Sequence, residues 1–157
     1  MTDQRPPRLA GDERATLVAL LQFQRESFVR KVAGVDDEAA RWSPVPTGTS
    51  LLWLTKHLAG AEAVWVLTRF AGRTDVVRDD TVREGDTLDG AIEAYRATWR
   101  AVDAVVAEAS LDDGCQADEH SPPVDLRWIL AHLLEETARH AGHADLLREQ
   151  LDGSTGR

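Results

Sequence analysis

The sequence predicts an all-α protein, a four-helix bundle in which a long crossover joins the second and third helices. Apolar residues recur at three- and four-residue spacings in four segments of roughly twenty residues, and helices of that length are about 30 Å long. Alternation of apolar and polar residues is nowhere long enough to predict a sheet. The 157 residues suffice for a single domain with a substantial core, and we expect residues 1–10 and 153–157 to form flexible ends.

The first helix is predicted from Asp12 to about Val35. Gly34 ends its pattern, a short turn is expected in the segment DDEAARW, and Pro44 and Pro46 then impose extended backbone. The apolar positions that define this helix are Leu17, Leu20, Leu21, Phe28 and Val32.

The second helix is predicted to begin at a hydroxyl cap, Thr49 or Ser50, and to end near Gly72. It carries His57. Residues 71–86 are polar and have no sustained period, so they predict a long connection to the third helix. Long loops of this kind often carry specificity.

The third and fourth helices follow from the same criteria. The third is predicted from the cap Thr87 to about Ser110, and the fourth from about Val124 to Leu151, with Gly153 ending it. Each of the two polar connections has room for a short extended piece. The apolar stripe of the third helix consists of Ile92, Tyr95, Trp99, Val102 and Val106.

Composition excludes several classes of function. A net charge of −9 disfavours nucleic acid and anionic lipid as partners. The apolar runs are too short to span a bilayer and the first residues lack a secretory signal, so we expect a cytoplasmic protein with no membrane partner. Cys115 is the single cysteine, which excludes an internal disulfide and a multi-cysteine metal site, and we expect it to be a loop thiol without a catalytic role.

The fourth helix places ionisable side chains among apolar ones. Because an α-helix turns about 100° per residue, His132, Glu136, His140 and His143 fall within about 80° of one another. A buried charge needs a partner, so the inward-facing members of this group need an explanation. The apolar residues that surround this face are Leu126, Ile129, Leu130, Leu133, Leu134, Leu146 and Leu147.

Glu136 and His140 are one helical turn apart, a standard interval for two side chains that bind one ion. His57 lies beside the apolar stripe of the second helix and offers a third ligand across the bundle. Two histidines and one carboxylate suit zinc or another divalent ion and leave a position open for water or a substrate thiol. A thiol bound there loses its proton near neutral pH and becomes a nucleophile.

Other interpretations of these residues stay open. One alternative is that His57 is a structural histidine held by hydrogen bonds. Another is that Glu136 and His140 form an exposed pair on the helix surface. His143 is a further ligand, a supporting group behind the ligands or a substrate contact, and we favour the last two roles.

The remaining candidates have simpler explanations. We expect the five tryptophans to pack in the core or an interface, with Trp53 and Trp65 bordering the site. Glu62, about 140° around the helix from His57, is expected to be a surface or salt-bridge group. We expect His132 to be structural or supporting and His120 to be an exposed loop histidine.

Two long segments resemble the DinB-like superfamily, and within it the branch of mycothiol-dependent, metal-binding enzymes first catalogued as a domain of unknown function. These segments are RWSPVPTGTSLLWLTKHLAGAE and DLRWILAHLLEETARHAGHADLLRE. The resemblance implies a DinB-like four-helix bundle that holds a divalent metal, zinc or alternatively nickel, through His57, Glu136 and His140. Many relatives have two histidines in the fourth helix, whereas glutamate with histidine is typical of the mycothiol-dependent isomerase branch.

The resemblance also implies an activity, a metal-dependent thiol S-transferase in which a low-molecular-weight thiol such as mycothiol attacks a small electrophile as a metal-bound thiolate. His143 is the candidate proton shuttle, and Arg139, Trp53 and the 71–86 loop are the candidate contacts for the thiol cosubstrate. The alternatives are a mycothiol-dependent isomerase, a non-catalytic metal- or ligand-binding stress-response bundle, and a metal-free structural bundle. The apolar helices are also compatible with a homodimer.

Overall fold

The computed structural model of the protein describes residues 4–115 and 122–155, and all the regular structure in these two ranges is helical. Four long helices form the bundle, which confirms the all-α fold class. The elements are α1 (Glu13–Val32), α2 (Asp37–Arg41), α3 (Leu51–Glu62), a π-helical segment (Ala63–Phe70) that continues α3, α4 (Leu88–Glu108) and α5 (Leu126–Asp152).

Side-chain caps fix where the long helices begin. Asp12, Ser50, Thr87 and Asp125 each accept a hydrogen bond from a backbone N–H in the first turn of α1, α3, α4 and α5 respectively. Gly153 ends α5 in the left-handed conformation with φ of 74°, which glycine adopts without strain. The predicted caps Ser50 and Thr87 and the predicted stop at Gly153 are therefore confirmed.

Two local features differ from simple helices and loops. The second predicted helix changes to π-helical geometry at Ala63–Phe70, which nothing in the pattern of apolar residues predicts. The connection between α4 and α5 contains an isolated antiparallel bridge between Gly114 and Asp125, the short extended piece that was expected there. No helix in the described ranges is long and apolar enough to cross a membrane.

The bundle core contains a buried ion pair that links three helices. Arg25 of α1 donates to Glu62 of α3 through Nε at 2.9 Å and Nη2 at 2.5 Å, and both side chains are almost inaccessible to solvent. Tyr95 of α4 donates its hydroxyl to Glu62 Oε1 at 3.1 Å, and Asp103 accepts from Arg25 at 2.8 Å. Burial raises the pKa of Glu62, although Arg25 opposes that rise. Glu62 is thus a salt-bridge group as predicted, but its predicted alternative, a surface position, is wrong.

Several other expectations about exposure need correction. Trp99 is buried as expected, but Trp42 and Trp128 are 41% and 44% exposed. Leu146, which was expected beside the polar face of α5, is 61% exposed. Cys115 lies in a connection as predicted and packs within the core. His120, predicted to be an exposed loop histidine, lies outside the described residues.

The packing of α3 positions the functional groups, because α3 contacts both α4 and α5. Two faces of α3 are therefore packed against neighbouring helices. Glu62 points towards α1 and α4, and His57 points towards α5. The connection of residues 71–86 passes beside α3 on its way to α4, which brings loop side chains close to His57.

Candidate metal centre

Three side chains from two helices meet at one point. His57 Nε2 of α3 lies 2.9 Å from Glu136 Oε1 of α5, and His140 Nε2 lies 3.1 Å from the same oxygen. One nitrogen or oxygen atom from each of the three residues falls within 4.8 Å of the other two. This is the convergence that a shared ion requires, while the role of the three residues as ligands remains a prediction.

The side chains of this cluster are less exposed to solvent than ordinary surface groups. Glu136 and His140 are only 8% and 7% exposed, so they are not the exposed helix pair that the sequence left open. The one-turn spacing on α5 places both on the face that packs against α3. His57 is half-buried between the two helices. Groups of this kind cost free energy to bury unless each finds a partner.

The protonation chemistry of the cluster fits a cation. A carboxylate oxygen and an unprotonated imidazole nitrogen both present lone pairs, which repel each other at close range. The contacts of His57 and His140 with Glu136 are therefore favourable only if a proton or a cation lies between the atoms. Burial lowers the pKa of His140 and so favours the neutral imidazole that binds metals. Burial works against ionisation of Glu136, but the contact with His57 and the positive charge of Arg139 outweigh it and lower the pKa of Glu136. Two imidazole nitrogens and one carboxylate oxygen are a set of ligand atoms that suits a divalent ion.

His140 and Glu136 of α5 also form contacts through the side-chain atoms that face away from His57. His140 Nδ1 lies 3.1 Å from His143 Nδ1, and Arg139 pairs with Glu136 Oε2. Such contacts behind the ligands orient them and tune their basicity. His143 is exposed and Arg139 half-exposed, so both also face the solvent from which a substrate arrives.

His57 has its outer partner on the 71–86 loop. Asp80 Oδ2 lies 3.1 Å from His57 Nδ1, and Arg78 donates to that same oxygen through Nε at 3.0 Å. Arg78 Nη2 also lies 3.0 Å from His57 Nδ1. The sequence assigned this loop to contacts with the thiol or substrate but gave no signal for Asp80 or Arg78 individually, because the loop contains several carboxylates and arginines.

Aromatic rings border the cluster. The ring of Trp53 stacks on His57 with centroids 4.8 Å apart and meets His140 edge-on at 6.4 Å. Trp53 therefore lies beside the site, as expected. Trp65 packs instead in a second aromatic cluster with Trp128 and His132, where the His132 ring stacks on Trp128 at 5.0 Å. That packing agrees with a structural role for His132.

A cavity of about 550 Å³ lies next to three residues that contact His57, although none of the three cluster residues lines it. Trp53, Arg78 and Asp80 line it, together with Arg41 of α2. Its volume falls in the range of sites that hold small molecules. Trp53, Arg78 and Asp80, which contact His57, therefore also form part of the cavity wall that a bound ligand would contact.

Comparisons with known proteins add family-level information. A family model described as mycothiol-S-transferase (MST) matches residues 16–153. A DinB-like protein from Bacillus cereus has a solved structure with a TM-score of 0.71, 18% identity, and coverage of 87% of this chain and 91% of its own. A conserved protein from Enterococcus faecalis has a TM-score of 0.64, 19% identity, and coverage of 92% and 100% respectively. At these identities the structural likeness concerns the fold, and no curated protein sequence matches significantly.

Proposed function

Because the chain belongs to the mycothiol S-transferase family, within the DinB-like superfamily, we propose that it transfers a low-molecular-weight thiol, mycothiol, to a small electrophilic substrate. The family match spans most of the chain and supports a transferase that uses this thiol. The observation that carries the proposal is the meeting of His57, Glu136 and His140 at a common point.

These three residues would hold a divalent metal, zinc or alternatively nickel. When bound, such an ion lowers the pKa of a coordinated thiol, so that the sulfur is available as a thiolate nucleophile near neutral pH. Glu136 contributes one negative charge and the two histidines contribute none in their neutral forms. The cluster thus neutralises only half the charge of a divalent ion, which favours an anionic sulfur as the next ligand.

The proton released from the thiol needs an acceptor, and we assign this role to His143. Its ring is exposed and contacts His140 through the two Nδ1 atoms, 3.1 Å apart. An imidazole in that position accepts a proton at the edge of the site and exchanges it with water. No cysteine of this chain is needed for the transfer, since Cys115 is buried elsewhere in the core.

The thiol and the electrophile both need room next to the cluster. We assign this room to the cavity of about 550 Å³ lined by Trp53, Arg78 and Asp80, all of which contact His57. We propose that the Trp53 ring packs against the thiol cosubstrate and that Arg139, which is 54% exposed, contacts its polar groups. Arg78, from the 71–86 loop, lines the same cavity and offers a cation for an anionic portion of either molecule.

A second candidate function is a mycothiol-dependent isomerase. The observation that favours it is the carboxylate Glu136 at the first position of the pair on α5, where many DinB-like proteins carry histidine. Both functions need the same thiol and the same three residues, and they differ in whether the thiol remains attached to the product. A cytoplasmic location and a homodimer also remain predictions from the sequence.

The test is thiol conjugation by protein prepared without a histidine tag and loaded with zinc. Mycothiol is supplied with a panel of haloaromatic, epoxide and unsaturated carbonyl compounds, and products are identified by mass. We expect a thioether in which the thiol sulfur is bonded to carbon of the electrophile, with halide released from haloaromatics and nothing lost from epoxides or unsaturated carbonyls. Activity should be lost in His57→Ala and retained in the control His132→Ala. Rearranged product without attached thiol would favour the isomerase, and bound metal with no turnover would favour a non-catalytic binding protein.

A further inference from the structure

We propose that Asp80 is a positioning residue that fixes the tautomer and orientation of His57, and that Gly60 supplies the space in which Asp80 sits. The inference rests on the proposed role of His57 as a metal ligand. It adds a functional contribution for the 71–86 loop, which lies outside the two segments that carry the family resemblance.

The first observation is the hydrogen bond itself. Asp80 Oδ2 lies 3.1 Å from His57 Nδ1, and Arg78 Nη2 lies 3.0 Å from the same nitrogen. Because Arg78 Nη2 already donates to Asp80 Oδ2 at 2.5 Å, we assign the Nδ1 proton to the hydrogen bond with the Asp80 carboxylate. The other ring nitrogen, Nε2, then carries the free lone pair and faces Glu136 Oε1 at 2.9 Å. A carboxylate behind a histidine ligand fixes its tautomer and raises its basicity, and both effects strengthen metal binding.

The second observation is the way the carboxylate is held. Arg78 donates to Asp80 Oδ2 through Nε at 3.0 Å and Nη2 at 2.5 Å, which orients the acceptor oxygen towards His57. The other oxygen, Oδ1, is buried and has no hydrogen-bond partner in the described part of the chain. A buried, unsatisfied carboxylate oxygen costs free energy, so this placement needs a reason other than stability.

The third observation explains why the loop reaches so close to the helix. A Cβ atom on Gly60 would lie 2.7 Å from Asp80 Oδ1, closer than Cβ atoms pack, and 3.0 Å from Arg78 Cγ, which is a tight contact. Gly60 lies three residues after His57, on the same side of α3. Glycine in a helix interior destabilises the helix relative to alanine. Its presence here is explained by the close approach of Asp80.

The loop is also bound to two helices on the C-terminal side of Asp80. Lys56 of α3 donates to the backbone carbonyl of Thr81 and to the carboxylate of Asp86. Arg41 of α2 donates to the backbone carbonyl of Asp86. These contacts hold the path of the loop over α3, so the position of Asp80 does not depend on the single hydrogen bond to His57.

The experiment measures zinc affinity by chelator competition in the full chain and compares Asp80→Ala with Asp80→Asn. We expect Asp80→Ala to bind zinc about 10- to 100-fold more weakly, the usual loss for a group behind a metal ligand. Asparagine keeps an oxygen that accepts the Nδ1 proton but has no charge, so Asp80→Asn should recover part of the loss. Asp79→Ala is the matched control, since it removes a neighbouring loop carboxylate that pairs with Arg83, and it should leave the affinity unchanged.

A second pair of variants tests the space at Gly60. Gly60→Ala should weaken zinc binding and change the visible spectrum of the cobalt-substituted protein, and it should add nothing to the loss in Asp80→Ala. Gly142→Ala is the control, because a Cβ at that helical position meets no atom within 4 Å. Wild-type affinity in both Asp80→Ala and Gly60→Ala, with zinc lost in His57→Ala, would overturn this inference and leave the proposed function intact. Absence of zinc binding by the wild-type protein would overturn both.

Discussion

The Nε2 atom of His57 lies 2.9 Å from Oε1 of Glu136, although the two residues belong to different helices and are separated along the chain by the entire 71–86 loop and all of α4. His140 brings a second imidazole nitrogen to 3.1 Å from the same oxygen. One buried carboxylate oxygen therefore serves two histidines. The site exists only because α3 packs on α5, so its chemistry and the stability of the bundle are linked.

Replacement of Glu136 by glutamine tests the charge of the cluster. The variant keeps the size of the side chain but removes the negative group that attracts the ion, so zinc affinity should fall by more than about tenfold. The measurement is chelator competition at neutral pH. The control is Glu135→Gln on the exposed neighbouring residue, and equal affinities in the two variants would exclude Glu136 as a ligand.

Replacement of His143 by glutamine separates proton transfer from metal binding. If His143 accepts the thiol proton, the variant should retain its zinc but conjugate thiol about 100-fold more slowly, at the lower end of the effect of general base catalysis. Metal content and the conjugation rate are measured on the same preparation. Loss of zinc would make His143 a ligand instead, and an unchanged rate would remove it from the mechanism.

The buried ion pair predicts a large effect on stability. In Glu62→Gln, Arg25 keeps only Asp103 as a charged partner, so the free energy of unfolding should fall by about 3 kcal/mol. Urea unfolding of the metal-free protein measures this change. The exposed pair of Glu93 and Arg96 is the matched control, and Glu93→Gln should cost less than about 1 kcal/mol. Similar losses in both variants would contradict the structural role of Glu62.

Burial of the Tyr95 hydroxyl should make the stability of the protein depend on pH in the alkaline range. It is the only tyrosine, and burial raises its pKa well above the usual value of 10.0, with Glu62 adding to the rise. The unfolded chain therefore loses this proton at lower pH than the folded protein. The stabilising contribution is complete below pH 10 and is lost as the pH rises towards the folded-state pKa.

Ultraviolet absorbance of tyrosinate checks this expectation directly. In the folded protein the signal should appear only together with loss of helical circular dichroism, whereas the urea-unfolded chain should titrate near 10. Reversible titration near 10 without unfolding would show that Tyr95 is accessible to solvent. Tyr95→Phe should remove this contribution to the dependence of stability on alkaline pH.

The helices could be predicted because their signals are local. Spacing of apolar residues locates α1, α4 and α5, and the hydroxyl caps Ser50 and Thr87 mark the starts of α3 and α4 within a residue. The pairing of Glu136 with His140 follows from helical geometry alone. The position of His57 beside the apolar stripe of the second helix offered the third ligand, and the resemblance to DinB-like proteins, now supported by the family match, implied the same residue.

The remaining features depend on contacts between distant parts of the chain. Glu62, 140° from His57 around the helix, was predicted to be a surface or salt-bridge group. Its burial follows from the packing of α3 on both α4 and α5, which the spacing within one helix does not show. Asp80 could not be distinguished from Asp79 in the sequence, because the path of the loop decides which carboxylate reaches His57. The π-helical segment and the exposure of Trp42 and Trp128 likewise have no local signal.

The central claim is that His57, Glu136 and His140 bind one divalent ion. Its most direct test is a crystal structure of zinc-loaded protein with anomalous diffraction data collected at the zinc edge. We expect one strong anomalous peak about 2.0 to 2.2 Å from His57 Nε2, His140 Nε2 and a carboxylate oxygen of Glu136. A peak on other side chains, or no peak in crystals that contain excess zinc, would contradict the account.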